Sequence, residues 1–296
     1  MSMRVTLLGT GDTTGTPTVG CDCATCVAAR ARGIERSRFS VHIENERTDE
    51  SILVDLSPDF RQQFLSQAVP LPDAAVVTHI HFDHLDGLGN AYRVFDELPV
   101  YAANEVDPKT GESVAETIRR KYEYLDRVSV FDVTPLASVE ICGLELTLVP
   151  VEHPPLLCFG LVVVDPETGA QLSLSGDTSY DIPADSREQL SDPDLFLADA
   201  IVSAALCDHH PLGGSHHDAD GVPRSFGTKH MTREGALALA DELEADVTRL
   251  VHTAHYYPAD EAFEEPLAVD GEQYRLDETG VIRLDTATTE SGATTE

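Results

Sequence analysis

Lysine is almost missing from this chain: only Lys109, Lys121 and Lys229 occur among 296 residues. Basic residues number 20 against 52 acidic ones, a formal net charge of −32. Nucleic acid and anionic membranes carry the same sign, so both are disfavoured as partners, although a small basic pocket can hide within such a total. The acidic residues are spread along the chain rather than gathered in one block. That suits a solvated acidic surface of halophilic type, tolerable where salt screens charge within about 3 Å at 1 M. No apolar run reaches the length of about 18 residues that a membrane-spanning helix needs. Before Gly9-Thr10-Gly11-Asp12 there is one Arg and a brief apolar run, too short for a signal peptide, so a cytoplasmic location is expected. Neither a Gly/Ser linker nor a repeat interrupts the chain. One domain over 1–285 is therefore expected, with a polar, disordered tail over 286–296.

What the chain does have is histidine at particular places. Thr78-His79-Ile80-His81-Phe82-Asp83-His84-Leu85-Asp86-Gly87 follows Ala74 to Val77, an apolar run that reads as a buried strand. Residues two apart in extended backbone point the same way, so His79 and His81 can hold one metal ion. Asp83 and His84 follow where the chain must turn and can face a second ion. His153 sits between an apolar strand and two prolines, and His252 follows the strand Asp246 to Val251. Both share the post-strand setting of His79 and read as ligands. Asp177 follows Gly176, which lets backbone approach closely, so its carboxylate can bridge two ions. By contrast, His42 alternates with Val41 and Ile43 and reads as an outward strand residue.

Cysteine is sparse apart from one cluster. Cys142, Cys158 and Cys207 are scattered and read as small buried residues. Cys21, Cys23 and Cys26 place three thiols in six residues. A disulfide is disfavoured in a cytoplasm, and such short loops would be strained. A closed zinc site needs a fourth ligand, and His255 is the candidate. Gly9 to Gly15 reads as a tight turn at the rim of the metal site, because no helix starts there to make a phosphate loop.

The remaining elements are strands and helices in alternation. Helices are expected over Ala24 to Gly33, Pro58 to Gln67, Glu112 to Leu125 and Thr232 to Leu243, with strand runs between them. Cys207 to Met231 reads as a long polar loop carrying His209, His210, His216 and His217, either a lid, a weak metal site or a solvated loop.

The H-x-H-x-D-H pattern closely resembles the signature of the metallo-β-lactamase fold superfamily. That resemblance implies an α/β (α+β) fold, an αββα sandwich of two mixed sheets flanked by helices. It implies that His79, His81 and His153 hold one ion, that Asp83, His84 and His252 hold the other, and that Asp177 bridges. Gly9-Thr10-Gly11, Pro17, Gly20 to Cys26 and His252-Thr253-Ala254-His255 further resemble the phosphoribosyl 1,2-cyclic phosphate phosphodiesterase family of the carbon–phosphorus lyase pathway. In that family the cysteine group and the late histidine bind structural zinc, and a histidine matching His230 assists catalysis. The Cys207 to Lys229 stretch looks longer than the family's.

The expected activity is hydrolysis of a small phosphodiester, cyclic or open, with Asp83 and His230 as catalytic residues. The expected cofactors are two divalent ions, zinc or manganese, at the active site, and one structural zinc. Two such ions about 3.5–4 Å apart can share a hydroxide that attacks phosphorus. The expected partner is a small-molecule phosphodiester, with no membrane and nucleic acid disfavoured; a homodimer is left open. Three other readings share parts of the pattern. A tRNA 3′-processing ribonuclease would want a basic arm, and a glyoxalase-type thioester hydrolase would lack the cysteine site. A protein like pyrroloquinoline quinone biosynthesis protein B would have an incomplete catalytic set.

Overall fold

The computed structural model describes residues 2–284. The tail expected over 286–296 lies outside them. In chain order the elements begin with β1 (Met3–Gly9), α1 (Ala24–Arg32), β2 (Ser40–Asn45), β3 (Glu50–Val54), α2 (Phe60–Gln67) and β4 (Ala74–Val77). Next come α3 (Phe82–Leu85), α4 (Ala91–Val94), β5 (Leu98–Ala103), α5 (Val114–Lys121), β6 (Val128–Val133), β7 (Ser138–Ile141), β8 (Leu144–His153) and β9 (Leu156–Val164). They are followed by β10 (Gln171–Leu174), α6 (Ala184–Leu190), β11 (Leu195–Asp199), β12 (Gly214–His217), β13 (Pro223–Phe226) and β14 (His230–Met231). The last are α7 (Arg233–Glu242), β15 (Val247–Val251), β16 (Gln273–Asp277) and β17 (Gly280–Leu284).

Two mixed sheets form the body. One has the order β17-β16-β1-β2-β3-β4-β5-β6, the other β15-β11-β10-β9-β8-β7. The second sheet shows why they stack. Leu146 and Leu148 of β8, Leu161 and Val163 of β9, and Leu195 and Leu197 of β11 join the first sheet's core residues in one cluster. Their alternates Val149, Val151, Val162, Phe196 and Ala198 belong to a second cluster with Ala236 and Leu239 of α7. Successive strand side chains face opposite ways, so this sheet is apolar on both faces and is covered on both. Helices α6 and α7 pack on the second sheet, and α2 and α5 pack on the first. The result is the αββα sandwich that the resemblance implied.

Local chemistry sets the helix ends. Ser113 caps α5 by accepting from the Glu116 N–H, and Glu116 accepts from the Ser113 N–H in return. Thr232 caps α7 by accepting from the Gly235 N–H at 3.0 Å. No helix among the described residues is long and apolar enough to cross a membrane.

Two expectations need correction. His42 does project from the outer face of β2, but α2 covers that face, so the ring is buried and packs edge-on against Phe64. The Cys207 to Met231 stretch is not all loop: β12, β13 and β14 make a small antiparallel sheet. Asp83 and His84 sit on the single turn of α3, and a 3₁₀ turn follows over Asp86–Asn90.

Candidate metal centre

The strands that carry the expected ligands end on one rim. Asp55 follows β3, His79 and His81 follow β4, His153 ends β8, Asp177 follows β10, Asp199 ends β11 and His252 follows β15. A strand that leaves the core at a polar residue delivers that side chain to the edge of the sheet, and here six strands do so together. The Gly176 backbone is left-handed at φ +63°, and a Cβ there would lie 2.5 Å from the Phe159 carbonyl oxygen. Only glycine fits before Asp177. Asp55 and His252 adopt left-handed backbone without that freedom, at φ +59° and +54°. Such strain persists where surroundings fix it, and it gathers at functional sites.

The expected side chains come together as two groups. His79 Nε2 lies 2.9 Å from His81 Nδ1, and His153 Nε2 lies 3.2 Å from the same atom. Asp177 joins this trio, with Oδ2 at 3.7 Å from His79 Nε2. Asp83, His84 and His252 form the second group. Asp177 Oδ2 is 3.3 Å from both His84 Nε2 and His252 Nε2, which places it between the groups.

Hydrogen bonds behind the rings decide which nitrogens are free. His84 Nδ1 meets Asp55 Oδ2 at 2.6 Å, and His153 Nδ1 donates to the Lys229 carbonyl at 2.9 Å. Those Nδ1 atoms carry hydrogens, so each Nε2 offers a lone pair to the centre of the group. The buried Nε2 atoms of His84 and His252 have no hydrogen-bond partner. Buried polar atoms left in that state are costly, and a cation between them and Asp177 would satisfy them. The donor set therefore fits a pair of divalent ions.

Proton affinities agree. Burial holds His79 well below its ordinary value and takes His153 down to about 3, which keeps both rings neutral. Burial opposes charge on Asp83 and Asp177, but neighbouring imidazoles outweigh it, holding Asp83 at about 2 and Asp177 well below the usual carboxylate range. Burial likewise opposes charge on His84 and His252, yet Asp177 and its neighbours outweigh it and raise both, His252 to about 9. In effect the carboxylates demand positive charge at this spot.

His230 stands beside the two groups. Its Nδ1 meets Asp199 Oδ2 at 2.8 Å, and its ring stacks on His252 with centroids 5.1 Å apart. A cleft of about 280 Å³ opens above, lined by Thr13, Phe82, Asp83, Lys229 and His230 among others. The Gly9 to Gly15 turn reaches its rim through Thr13, as its sequence suggested. Asp55 and Asp199 were not among the expected residues. Their signal was available: each is an acid directly after an apolar strand, the setting that singled out His79.

The cysteine cluster also closes. Sγ of Cys21, Cys23 and Cys26 lie 3.4, 3.5 and 3.4 Å from His255 Nδ1. A tetrahedral zinc with sulfur ligands at about 2.3 Å and nitrogen at about 2.0 Å would separate those atoms by about 3.6 Å. Burial opposes charge on Cys23, but the Cys26 N–H and His255 outweigh it and bring the thiol to about 6, a proton affinity that favours a metal-ligating thiolate.

With this geometry in place, comparison with known proteins is informative. A model of the beta-lactamase superfamily domain matches residues 50–253. The chain belongs to that family. The structure of a diphosphatase from the PhnP family is similar at TM-score 0.73 and 26% identity, over 96% of this chain and 99% of that one. Zinc-bound PqqB from Methylobacterium extorquens (TM-score 0.69, 19% identity, 91% of this chain and 99% of that one) shares the fold. So does the short form of human tRNase Z (TM-score 0.63, 19% identity, 91% and 98%). Among curated proteins, an octanoyltransferase of Porphyromonas gingivalis is 28% identical over 290 residues, 94% of this chain and 53% of that protein. The chain thus spans about half the length of that relative.

Proposed function

We propose that this member of a hydrolase family is a phosphodiesterase that uses two divalent ions. The observation that carries the reading is the convergence of His79, His81, His153, Asp83, His84, His252 and Asp177 beside a histidine held by its own carboxylate. A pair of ions bound there would act as a Lewis acid toward phosphoryl oxygens and lower the pKa of a bound water. The chain's own residues do the rest. Asp177 holds the two ligand groups in register, and Asp55 and the Lys229 carbonyl fix the tautomers of His84 and His153. Asp199 fixes His230 at Nδ1, leaving Nε2 to give a proton to the departing oxygen when the ring is protonated. The zinc-type cluster at Cys21, Cys23, Cys26 and His255 would pin the segment that carries His252.

The diphosphatase at 26% identity supports phosphorus chemistry. The chain covers about half of the octanoyltransferase, so that relative's name is not carried over to this chain. The test is turnover of bis-p-nitrophenyl phosphate with Mn²⁺ or Zn²⁺ present. Asp177→Ala is expected to lose at least a hundredfold in kcat; turnover near wild type would overturn the reading.

A further inference from the structure

We infer that Cys23 and Cys26 are a site of reversible oxidation, at which a peroxide joins the two sulfurs and opens the cysteine cluster. All six cysteines of the chain are free thiols in the structure. The Sγ atoms of Cys21, Cys23 and Cys26 and His255 Nδ1 all lie within 4.8 Å of one another. Sulfurs this close can join with little movement of the backbone. Access differs between them. Cys23 is half-buried between exposed Asp22 and Ala24, and Cys26 is fully buried. Cys23 caps α1, and its Sγ accepts from the Cys26 N–H at 3.4 Å. An oxidant therefore reaches Cys23 first and finds Cys26 in place to resolve the product. The remaining thiols lack this setting. Cys158 and Cys207 are buried apart from one another, and burial pushes the Cys142 thiol up to about 12, so it stays protonated.

In the first step the Cys23 sulfur takes one oxygen from the peroxide and becomes a sulfenic acid, and water leaves. The Cys26 sulfur then attacks it, the S–S bond forms, the S–O bond breaks and a second water leaves. Two thiols and one peroxide give one disulfide and two waters; the sulfurs lose two electrons and the peroxide gains them. With only Cys21 and His255 left, a closed site of four ligands no longer exists. The new ring is short and strained, so a thiol reductant opens it again. His255 lies three residues after His252, so opening the cluster loosens the segment that carries a ligand of the main centre. The Thr253 N–H still donates to the Thr10 carbonyl at 3.1 Å, and the Tyr257 hydroxyl to the Ala200 carbonyl at 2.8 Å, which retains the fold.

The experiment treats the full-length, zinc-loaded protein with a small excess of hydrogen peroxide. Free thiols are then blocked with iodoacetamide, the peptide carrying residues 21–26 is weighed and sequenced by mass spectrometry, and released zinc is read with a colorimetric chelator. The peptide is expected to hold a Cys23–Cys26 disulfide with only Cys21 alkylated, formed in step with zinc release. Dithiothreitol with added Zn²⁺ should restore the thiols, the zinc and the melting temperature. Cys142→Ser should respond as wild type does. Turnover of bis-p-nitrophenyl phosphate should fall about tenfold on oxidation and recover on reduction, the scale expected when support behind a metal ligand is lost. Three results would each overturn the inference: residues 21–26 staying reduced while glutathione in the same tube is oxidised, a bond made through Cys21 instead, or a sulfinic acid that dithiothreitol does not reverse. If the disulfide forms with no zinc released, the structural-zinc reading falls and the thiol assignment stands. If neither state turns over the ester, the phosphodiesterase reading falls, and the peptide masses still decide on the thiols.

Discussion

His42 is a buried imidazole with no place in either histidine cluster. It lies beneath α2, and burial takes it down to about 4 despite a hydrogen bond to the backbone at Pro70. In the unfolded chain its value returns to about 6.5. Between those two values the unfolded state binds the proton and the folded state does not. The group's contribution is therefore intact above about pH 6.5 and is lost as pH falls toward 4. From pH 7 to pH 5 the loss is of order 2 kcal/mol. Denaturant melts of His42→Leu at those two pH values should show a smaller drop in stability than wild type; equal drops would place the acid sensitivity elsewhere. Alternation with Val41 and Ile43 placed His42 on the correct face of its strand. It could not show that a helix covers that face, because burial of an outer face depends on a partner remote in sequence. Asp55 and Asp199 carry the same post-strand signal as His79, but their roles, at Nδ1 of His84 and of His230, depend on partners remote in sequence.

At the scale of elements, the strand ends were legible and the connections were not. His79, His153 and His252 could be placed because apolar runs stop at them. The sheet over β12 to β14 could not, because Gly214 to Phe226 is polar and its alternation is buried only in part. The cysteine cluster joins two such segments. Cys23 caps α1, accepting from the Cys26 N–H, and all three thiols meet His255, three residues after His252. A metal ion bound at this cluster would also contribute folding energy. Cys23→Ser and His255→Ala are each expected to lose one zinc per chain, to melt at lower temperature and to lose turnover. Full zinc content and an unchanged melting temperature in both variants would make the cysteines idle thiols.

Across the whole molecule, two of the scarce cations, Arg36 and Arg249, are buried. Arg249 is buried and holds Glu272 through two hydrogen bonds of 2.9 and 2.7 Å, and Arg47 pairs with buried Asp165 at 2.6 Å. Most carboxylates are left to the surface, where like charges repel through water. Raising KCl from about 0.1 M to about 2 M shortens the screening length severalfold, so the melting temperature should rise. A flat or falling trend would assign the charge another purpose. The sandwich itself was legible from strand and helix alternation together with the histidine pattern, whereas the cleft beside the ligand groups is built by side chains from both sheets and by the β13–β14 turn. The most direct measurement is therefore made at that centre, with metal content and bis-p-nitrophenyl phosphate turnover taken on the same samples of wild type and Asp177→Ala. Wild type is expected to hold two ions per chain beyond one at the cysteine cluster, and Asp177→Ala to lose ion and turnover with the fold retained. Wild-type turnover from an Asp177→Ala sample stripped of those ions would contradict it.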